Sequence, residues 1–456
     1  MTLEENVAMA REIARAVAAR GGRTFFVGGF VRDRQMGLTN KDVDLEVHGI
    51  PAQELVRILD TLGTHTQMGA SFGVYGLKHY QLDIALPRKE QLTGRGHRDF
   101  AIFTDPFLGT KKAAKRRDFT VNAMMEDVCT GELVDPFGGR EDLKKGILRH
   151  VCSESFVEDP LRVLRCAQFA ARFGFRVAEE TIALCREMDL STLPRERIYT
   201  ELEKALMKSD KPSVFFETLR QMDQLSFWFP EVEALIGVPQ DPVHHPEGDV
   251  WNHTMGVMDG AASLREQACH PVWLMLSALC HDLGKAYTTT REEGRIRSIG
   301  HERFLEPTIT LLDRLTGERE LKKYVENAVE LHMFPNILAE ENPSIKTTNR
   351  MFDRSICPED LLLLSKADRI GQGMGDVYGA KEAFLRQRLA VYRQTMALPC
   401  VTGRDLIEAG AQPGKEFSQA LDFAHKLHLA GIEKQTALKQ TLGYLRTLRK
   451  GQERKT

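Results

Sequence analysis

Hydrophobic and polar residues follow two different periods along this chain. In the first 149 residues, short apolar or alternating runs at 24–27, 42–47, 72–78, 82–86 and 121–128 are separated by glycine-rich turns. This pattern is typical of β-strands. From residue 159 onward, apolar positions recur at helical spacing and are interrupted by proline and glycine. We therefore expect an α+β protein, with a mixed sheet and helices at the N-terminus followed by all-α segments.

The length of 456 residues is enough for two to four domains, each with its own core. Three prolines between residues 239 and 246 resist helix formation and precede a new helical pattern that opens near Asp249. We predict domains at 1–149, 150–238, 239–375 and 376–456.

Composition restricts the setting of the protein. Lys plus Arg total 62 against 64 Asp plus Glu, so a polyanionic partner must be held by local basic patches. No apolar run is long enough to span a bilayer, and the first 20 residues form a charged amphipathic pattern. The eight cysteines are scattered without a CxxC pair, so we expect buried small residues rather than disulfides or a thiolate zinc site. We expect a soluble, cytoplasmic protein without a membrane partner.

Acidic residues follow a glycine pair near the N-terminus. Gly28 and Gly29 end a β-type run, and their missing side chains let the backbone approach a phosphate closely. Asp42, Asp44 and Glu46 then alternate with apolar residues, so a strand would carry all three on one face. Carboxylates repel one another unless a cation lies between them, and Mg²⁺ takes one or two carboxylates plus substrate phosphates. A solvated acidic edge strand is the alternative, which the upstream glycine pair disfavours.

A third carboxylate is expected if two magnesium ions are bound. Asp83 stands inside another apolar strand pattern, where a charged residue rarely lies without a partner. Glu46 competes with Asp83 for this role, and the sequence leaves both open.

A basic cluster at 111–117 ends in Arg116 and Arg117 and is followed directly by Asp118. Paired arginines suit triphosphate or ribose contacts. A surface turn before a strand explains the same segment equally well.

A helix start beyond this cluster combines an acid with arginines. We predict Asp159 as the N-cap and Pro160 as the first helical residue, with Arg162 and Arg165 stacked at helical spacing. An adjacent aspartate and arginine have the polarity to recognise cytosine and adenine, which both present an amino donor beside an unprotonated ring nitrogen. A cap with an intrahelical salt bridge is the alternative.

Histidine and aspartate residues form a second constellation. His281 and Asp282 adjoin each other at the end of an apolar helical run at 272–280, within the sequence HDLGK. His253 lies upstream and Asp368 downstream, and His301 and His332 add further nitrogen ligands. Mixed nitrogen and oxygen ligands suit first-row divalent metals.

The order and spacing of these motifs resemble bacterial class II CCA-adding enzymes and poly(A) polymerases, from about residue 24 through 208 and again at 401–407. The resemblance includes DPFGG at 135–139 and RERIYTEL at 195–202. It implies a polymerase-β-like nucleotidyltransferase head, a helical neck, an HD domain and a helical tail. The HDLGK constellation is similar to the HD superfamily of metal-dependent phosphohydrolases. The four-residue pattern of that superfamily is matched by His253, His281, Asp282 and Asp368. His301 and His332 would complete a two-metal site.

Residue roles follow from the resemblance alone. The implied nucleotide-binding and metal residues are Gly28, Gly29, Arg32, Arg116, Arg117, Asp118, Asp159, Arg162 and Arg165 for the nucleotide, and Asp42 and Asp44 for Mg²⁺. Two departures from the family pattern are Gln35, where an apolar residue is usual, and the extra acid Glu46.

The implied activity is addition of CMP, CMP and AMP from CTP and ATP to the 3′ end of tRNA, with phosphohydrolase activity at a transition metal in the HD domain. Addition of A only, CC only or poly(A) is an alternative within the class, because such enzymes share the head motifs. An HD phosphohydrolase with an inactive, RNA-binding head is the alternative from another class. The tail from Lys434 is strongly basic. This pattern is typical either of a solvated helix face or of a face that contacts phosphates. A homodimer is compatible with the sequence, which does not determine the oligomeric state.

Overall fold

The computed structural model describes residues 1–68, 73–92, 100–292, 294–341, 343–373 and 379–453. The chain forms two compact units. The first contains Met1–Ala205 and Val214–Phe227, and the second contains Leu206–Ser213 and Trp228–Thr456. The prediction of four domains within this chain stays a prediction.

A mixed sheet forms the centre of the first unit. Its strand order is β3-β4-β5-β2-β1-β8-β9, with β2 and β5 parallel and the other described pairs antiparallel. Two further pairs, β6 with β7 and β10 with β11, lie outside this sheet. The strands are β1 (Arg23–Val27), β2 (Val43–His48), β3 (His65–Met68), β4 (Val74–Leu77), β5 (Leu82–Ala85), β6 (Arg88–Leu92), β7 (Phe100–Thr104), β8 (Met125–Asp127), β9 (Leu133–Val134), β10 (Ile147–Leu148) and β11 (Arg176–Val177).

Helices alternate with these strands more often than the sequence suggested. The chain passes between the two units within the last three of these helices. The helices are α1 (Leu3–Ala18), α2 (Gly29–Gln35), α3 (Ala52–Leu62), α4 (Thr110–Lys115), α5 (Gly139–Lys145), α6 (Ser153–Phe156), α7 (Leu161–Phe173), α8 (Glu179–Arg186), α9 (Arg195–Lys208), α10 (Ser213–Gln221) and α11 (Leu225–Trp228).

Strands β1, β2, β4, β5 and β8 overlap the predicted runs, whereas β3, β6, β7, β9 and β10 were not predicted, and two of the predicted runs need comment. Residue 72 of the run 72–78 lies outside the described residues. The predicted strand 121–128 is wrong in its first half, because Thr120–Asn122 forms a short 3-10 turn before β8. The Thr120 hydroxyl donates to Asp142 at 2.8 Å and the Asn122 amide to Asp118 at 2.9 Å. Such local side-chain hydrogen bonds compete with strand pairing.

The second unit is almost entirely helical. One antiparallel hairpin, β12 (Thr290–Glu292) and β13 (Arg295–Arg297), interrupts the helices and corrects the expectation of an all-α segment. The helices are α12 (Pro230–Glu233), α13 (Val250–Leu264), α14 (Pro271–Cys280), α15 (Lys285–Thr288), α16 (Glu306–Leu315), α17 (Arg319–Leu331), α18 (Met333–Glu341), α19 (Ile345–Arg354), α20 (Pro358–Gly371), α21 (Gly379–Ala397), α22 (Gly403–Glu408), α23 (Phe417–Leu429) and α24 (Lys434–Glu453).

Helices α13 and α20 pack with their backbones in contact. A Cβ added to Gly256 would lie 3.1 Å from the carbonyl oxygen of Gly371, and one on Gly260 would lie 3.0 Å from that of Ala367. Small residues four apart on a helix allow this close approach. The approach matters because α13 carries His253 and α20 carries Asp368.

We expect Gly371→Ala to destabilise the second unit. The new Cβ would lie 2.5 Å from the Val257 side chain and 2.7 Å from its backbone nitrogen, so α20 must move away from α13 at a cost of about 1–3 kcal/mol. Urea unfolding, followed as the shift of the transition midpoint, measures this loss. The matched control is Gly443→Ala in α24, where nothing lies within 4 Å of the added atom and a gain of up to about 1 kcal/mol is expected. Equal midpoints for the two variants would contradict the packing argument.

Candidate functional site

Two aspartates lie side by side in the head sheet. Asp44 on β2 and Asp83 on β5 are register partners in the parallel pair, so their side chains point to the same face. Both line an open cleft of about 320 Å³. Asp42 lies just before β2 and is exposed, and its backbone N–H donates to the Asn40 side chain at 3.0 Å. Asp42 therefore lies just outside the strand that carries Asp44, and its charge still acts on Asp44.

The electrostatics of Asp44 favour a cation. Burial, followed by the charges of Asp83 and Asp42, raises the pKa of Asp44 to about 6, although the charge of Arg117 opposes this. The raised pKa means that ionisation of Asp44 is unfavourable in this environment, and a bound positive charge would offset that cost. The donor set consists of oxygens only, as magnesium prefers.

Glu46 differs from the aspartates because it already has partners. It lies 2.8 Å from His48 Nε2 and 3.4 Å from Arg117 Nη2. Burial would raise the pKa of Glu46, but the hydrogen bond with His48 and the charge of Arg117 outweigh it and hold that pKa below its usual value. Asp83 is exposed and forms no ion pair with a described residue. Of the two candidates for a third metal ligand, the geometry favours Asp83.

The glycine turn and an arginine complete the cleft. Gly28 has a left-handed backbone with φ of 67°, and a Cβ there would lie 3.0 Å from Arg117 Nη1 and 3.6 Å from Asp44 Oδ2. The Arg117 Nε is buried and finds no acceptor within the part of the chain that the structure describes. A buried donor without a partner costs about 1–3 kcal/mol, so this side chain fits an anionic ligand such as a triphosphate. Arg116 lines the same cleft.

Arg32 lies in a different environment from the one its predicted role implied. Its side chain is buried, and its guanidinium donates to Asp33 at 2.6 Å and to Asn122 at 2.6 Å. The group also lies over the rings of Phe169 at 5.1 Å and Phe173 at 4.5 Å. Arg32 thus joins α2 to α7, and a direct nucleotide contact stays a prediction.

Asp118 holds Arg165 in place. One Asp118 oxygen accepts from Arg165 Nε at 2.8 Å and Nη2 at 2.6 Å, and the other accepts from Asn122 and from the Phe119 backbone. Burial would raise the pKa of Asp118, but the Arg165 charge and these hydrogen bonds lower it overall. Asp118 therefore positions the Arg165 guanidinium.

The predicted base-recognition helix begins one residue later than expected. α7 starts at Leu161 with Pro160 as its cap, although the Asp159 side chain still accepts from the Leu161 N–H at 3.1 Å. The other Asp159 oxygen pairs with Arg197 at 3.1 Å. Arg162 donates to the backbone carbonyls of Ser155 and Arg116, at 2.5 and 2.7 Å. Arg197 on α9 is a partner of Asp159 that sequence spacing could not indicate.

Four histidines converge in the second unit, and backbone carbonyls fix the tautomer of three of them. Nδ1 of His281, His301 and His332 lies 2.7–2.8 Å from the carbonyls of Ala278, Ser298 and Val329 respectively. A carbonyl only accepts, so each of these Nδ1 atoms carries a proton, and in the neutral ring Nε2 keeps its lone pair. His301 and His332 bring these Nε2 atoms within 3.3 Å of each other. This is the arrangement in which histidine binds metals.

The ligand atoms form two adjacent groups. His253, His281 and Asp368 make one, and Asp282, His301 and His332 make the other. Asp282 links the groups, with one oxygen 3.2 Å from His281 Nε2 and the other 3.1 Å from His301 Nε2. All six side chains predicted from the sequence are therefore brought together.

A positive charge is favoured at this point of the second unit. Burial alone would lower the pKa of His253, but hydrogen bonds with Asp368 and Glu247 raise it to about 9. The donor set of imidazole nitrogens and carboxylates fits divalent transition metals.

Sequence reasoning missed the residues that support this site. Glu247 Oε1 lies 2.7 Å from Nδ1 of His253 and 2.9 Å from that of His245. Lys285 contacts Asp282 at 2.7 Å and Gln240 at 2.8 Å. The Lys of HDLGK was a visible signal, whereas Gln240 lies in the proline-rich segment taken only as a boundary and Glu247 directly follows it. Gln240 and Lys285 border a cleft of about 720 Å³ that also contains Arg295, Arg297 and Arg369.

Three family models match this chain. They describe a poly A polymerase head domain at residues 24–149, a probable RNA and SrmB-binding site of polymerase A at 174–236, and an HD domain at 250–371. A multifunctional CCA protein of Nitrosococcus oceani is 38% identical over 399 residues, which cover 85% of this chain and 93% of that protein. The chain belongs to the multifunctional CCA protein family. Another member, from Chromobacterium violaceum, is 45% identical over 282 residues, 61% of this chain and 66% of that protein.

Solved structures related to the multifunctional CCA protein family show the same fold. The Bacillus stearothermophilus CCA-adding enzyme in complex with CTP has a TM-score of 0.67 at 21% identity. The alignment covers 97% of this chain and 98% of the Bacillus enzyme. The Thermotoga maritima CCA-adding enzyme complexed with tRNA has a TM-score of 0.63 at 21% identity, covering 98% and 99%. Over the described residues, no helix is long and apolar enough to cross a membrane.

We expect Asp44→Asn to stabilise the metal-free protein above pH 6. The Asp44 pKa is raised from 3.8 to about 6, so ionised Asp44 costs stability at high pH, and that cost disappears as pH falls from about 6 to 3.8 and the folded state takes up a proton. The asparagine variant lacks this cost at every pH. Thermal unfolding in chelator at pH 8 and pH 4.5 measures the difference between variant and wild type. A difference that does not shrink at the lower pH would contradict the assignment.

Proposed function

We propose that this chain adds CMP, CMP and AMP from CTP and ATP to the 3′ end of tRNA, and that its HD domain hydrolyses phosphoesters. The observation that carries the proposal is the Asp44–Asp83 register pair beside Arg117 in the head cleft. The family supports the reaction, and the related CCA-adding enzymes solved in complex with tRNA and with CTP support the substrates. A cytoplasmic setting is part of this proposal, because the substrate is tRNA.

In the head, Asp42 and Asp44 would hold magnesium, with Asp83 as the third carboxylate. Magnesium bound there would neutralise triphosphate charge and favour ionisation of the attacking hydroxyl. Glu46 instead orients Arg117 through their 3.4 Å contact. The open turn at Gly28 leaves room for phosphate next to Asp44.

Arginines would hold the rest of the nucleotide. Arg116 and Arg117, which line the head cleft, would bind the phosphates, and Gly29 and Arg32 would shape the turn beside them. Arg165, which Asp118 holds in position, would contribute to the nucleotide pocket. Asp159 and Arg162 would recognise the base, which requires Arg162 to leave the carbonyls of Ser155 and Arg116.

The HD site would hold two divalent transition metals. His253, His281 and Asp368 form one ligand group, and His301 and His332 form the other, with Asp282 between them. Metal ions there would polarise a phosphoryl oxygen and supply hydroxide. Lys285 and the arginines of the cleft are suited to bind the phosphoester anion.

The C-terminal helix α24 would contact tRNA phosphates. Lys434 pairs with Asp405 at 2.8 Å and Arg449 with Glu416 at 3.9 Å, so part of its basic face also supports the fold. The tail residues Arg454 and Lys455 lie outside the described residues.

We expect the two activities to be lost separately. Asp44→Ala should lower CMP incorporation by roughly three orders of magnitude or more, about 4 kcal/mol of transition-state stabilisation, and leave hydrolysis of bis(p-nitrophenyl) phosphate unchanged. Asp282→Ala should do the reverse. Incorporation is measured with labelled CTP alone on tRNA lacking its last three nucleotides.

The matched control is Asp60→Ala on α3, an exposed aspartate outside the cleft, which should keep both activities. Normal incorporation by folded Asp44→Ala protein would reject the head as the catalytic centre. Incorporation of ATP without any CMP in the wild type would indicate A-only or poly(A) addition. Hydrolysis without any nucleotide incorporation would indicate an HD phosphohydrolase with an inactive head.

Base selectivity should depend on Asp159. Guanine and uracil present a ring N–H and a carbonyl, the opposite polarity to cytosine, so each reversed contact costs about 1–3 kcal/mol. We expect Asp159→Ala to lower the CTP-to-UTP preference by about 5- to 100-fold, because one such contact is lost. Competition between labelled CTP and UTP measures the ratio.

Asp159→Asn separates base recognition from helix capping. Its amide oxygen still accepts from the Leu161 N–H, so we expect the melting temperature to stay near that of the wild type while the ratio falls. An unchanged ratio in both variants, with a lowered melting temperature in Asp159→Ala alone, would mean that Asp159 only caps the helix.

A further inference from the structure

Two cysteines far apart in the sequence meet in the second unit. Cys269 is exposed in the turn before α14, and Cys357 is the N-cap of α20. Glu359 lies in the first turn of the same helix. The two sulfurs and one Glu359 oxygen all lie within 4.8 Å of one another. The sequence predicted buried, isolated cysteines, and this pair corrects that expectation.

A buried carboxylate fixes this arrangement. Asp360 is 1% exposed, and its two oxygens accept from the backbone N–H groups of Cys269 at 2.8 Å and His270 at 3.0 Å. The Tyr324 hydroxyl also donates to Asp360, at 2.6 Å. The backbone of Cys269 is therefore held directly against the first turn of α20. These backbone hydrogen bonds keep the three ligand atoms close together.

The three atoms match the reach of a thiophilic metal. Zinc bonds to thiolate at about 2.3 Å and to carboxylate at about 2.0–2.2 Å in a tetrahedron, which places neighbouring ligand atoms about 3.5–3.8 Å apart. Separations below 4.8 Å need only small side-chain rotations to reach this. We propose that Cys269, Cys357 and Glu359 form a binding site for a soft divalent cation of the zinc class, with water as the fourth ligand.

The site would link two helices that serve the HD centre. α14 leads into His281 and Asp282, and α20 carries Asp368. A metal joining the turn before α14 to the first turn of α20 would stabilise both helices at the ends away from those ligands. The function is structural and does not depend on either proposed reaction.

The test is a cadmium titration of the full-length, reduced, metal-free protein. Thiolate-to-cadmium charge transfer absorbs in the ultraviolet, whereas cadmium at the HD and head sites has no sulfur ligand and contributes nothing to this band. We expect a saturable band in the wild type, its loss in Cys269→Ser and Cys357→Ser, and its displacement by zinc. The control Cys400→Ser changes an exposed cysteine outside the cluster and should keep the band.

Glu359 is tested against its other partner. Its side chain also pairs with Arg393, so Glu359→Gln removes both a ligand and an ion pair, whereas Arg393→Gln removes only the ion pair. We expect cadmium affinity to fall by about tenfold or more in Glu359→Gln and to stay unchanged in Arg393→Gln.

Three results would overturn the site. One is a wild-type protein without the band, and another is a band of equal intensity in Cys269→Ser or Cys357→Ser. The third is a protein that loses two thiols in air and regains them with reductant but shows no band when reduced, which would make the pair a disulfide. Thermal unfolding of each metal-free variant beside the wild type confirms that loss of the band does not reflect loss of fold.

Discussion

Charged ligand groups that the backbone holds close together are the constraint on which both sites depend. Parallel pairing of β2 with β5 leaves Asp44 and Asp83 adjacent, and burial of Asp44 together with the charge of Asp83 raises the pKa of Asp44. In the second unit, His253 lies 3.4 Å from Asp282 and 3.1 Å from Asp368. Burial would raise the pKa of both carboxyl groups, but the neighbouring histidines lower it, so attraction between imidazole and carboxylate holds that centre together. A cation would relieve the repulsion in the head and replace imidazolium protons in the second unit.

The two centres differ in ligand chemistry, and this separates their proposed reactions. The head presents carboxylates beside arginines, a combination suited to magnesium and a triphosphate. The HD centre presents imidazole nitrogens fixed by backbone carbonyls, which suits transition metals and hydrolysis. One chain can thus carry nucleotide transfer and phosphoester hydrolysis without the same metal serving both. The proposed cysteine site would add a third ligand type, thiolate, which neither of the other two centres contains.

The arginines show how far motif reasoning reaches. The resemblance implied nucleotide-binding roles for Arg32, Arg162 and Arg165; the family is confirmed, and these residue roles stay predictions. The structure adds that Arg32 is buried against Asp33 and two phenylalanines, that Arg165 is held by Asp118, and that Arg162 rests on backbone carbonyls. These contacts join segments distant in sequence. Spacing within one helix could not indicate them.

The sequence by itself determined the mixed fold, the acidic strand and the HDLGK centre, because period-two patterning and adjacent ligands are local properties. Only the tertiary structure showed that Glu46 has a partner distant in sequence, Arg117, whereas Asp83 lies exposed beside Asp44. It also decided the support of His253 by Glu247 and the meeting of Cys269 with Cys357. The close approach of α13 and α20 at Gly256 and Gly371 brings His253 to Asp368. Such contacts depend on how helices pack in space, which no local pattern of residues encodes.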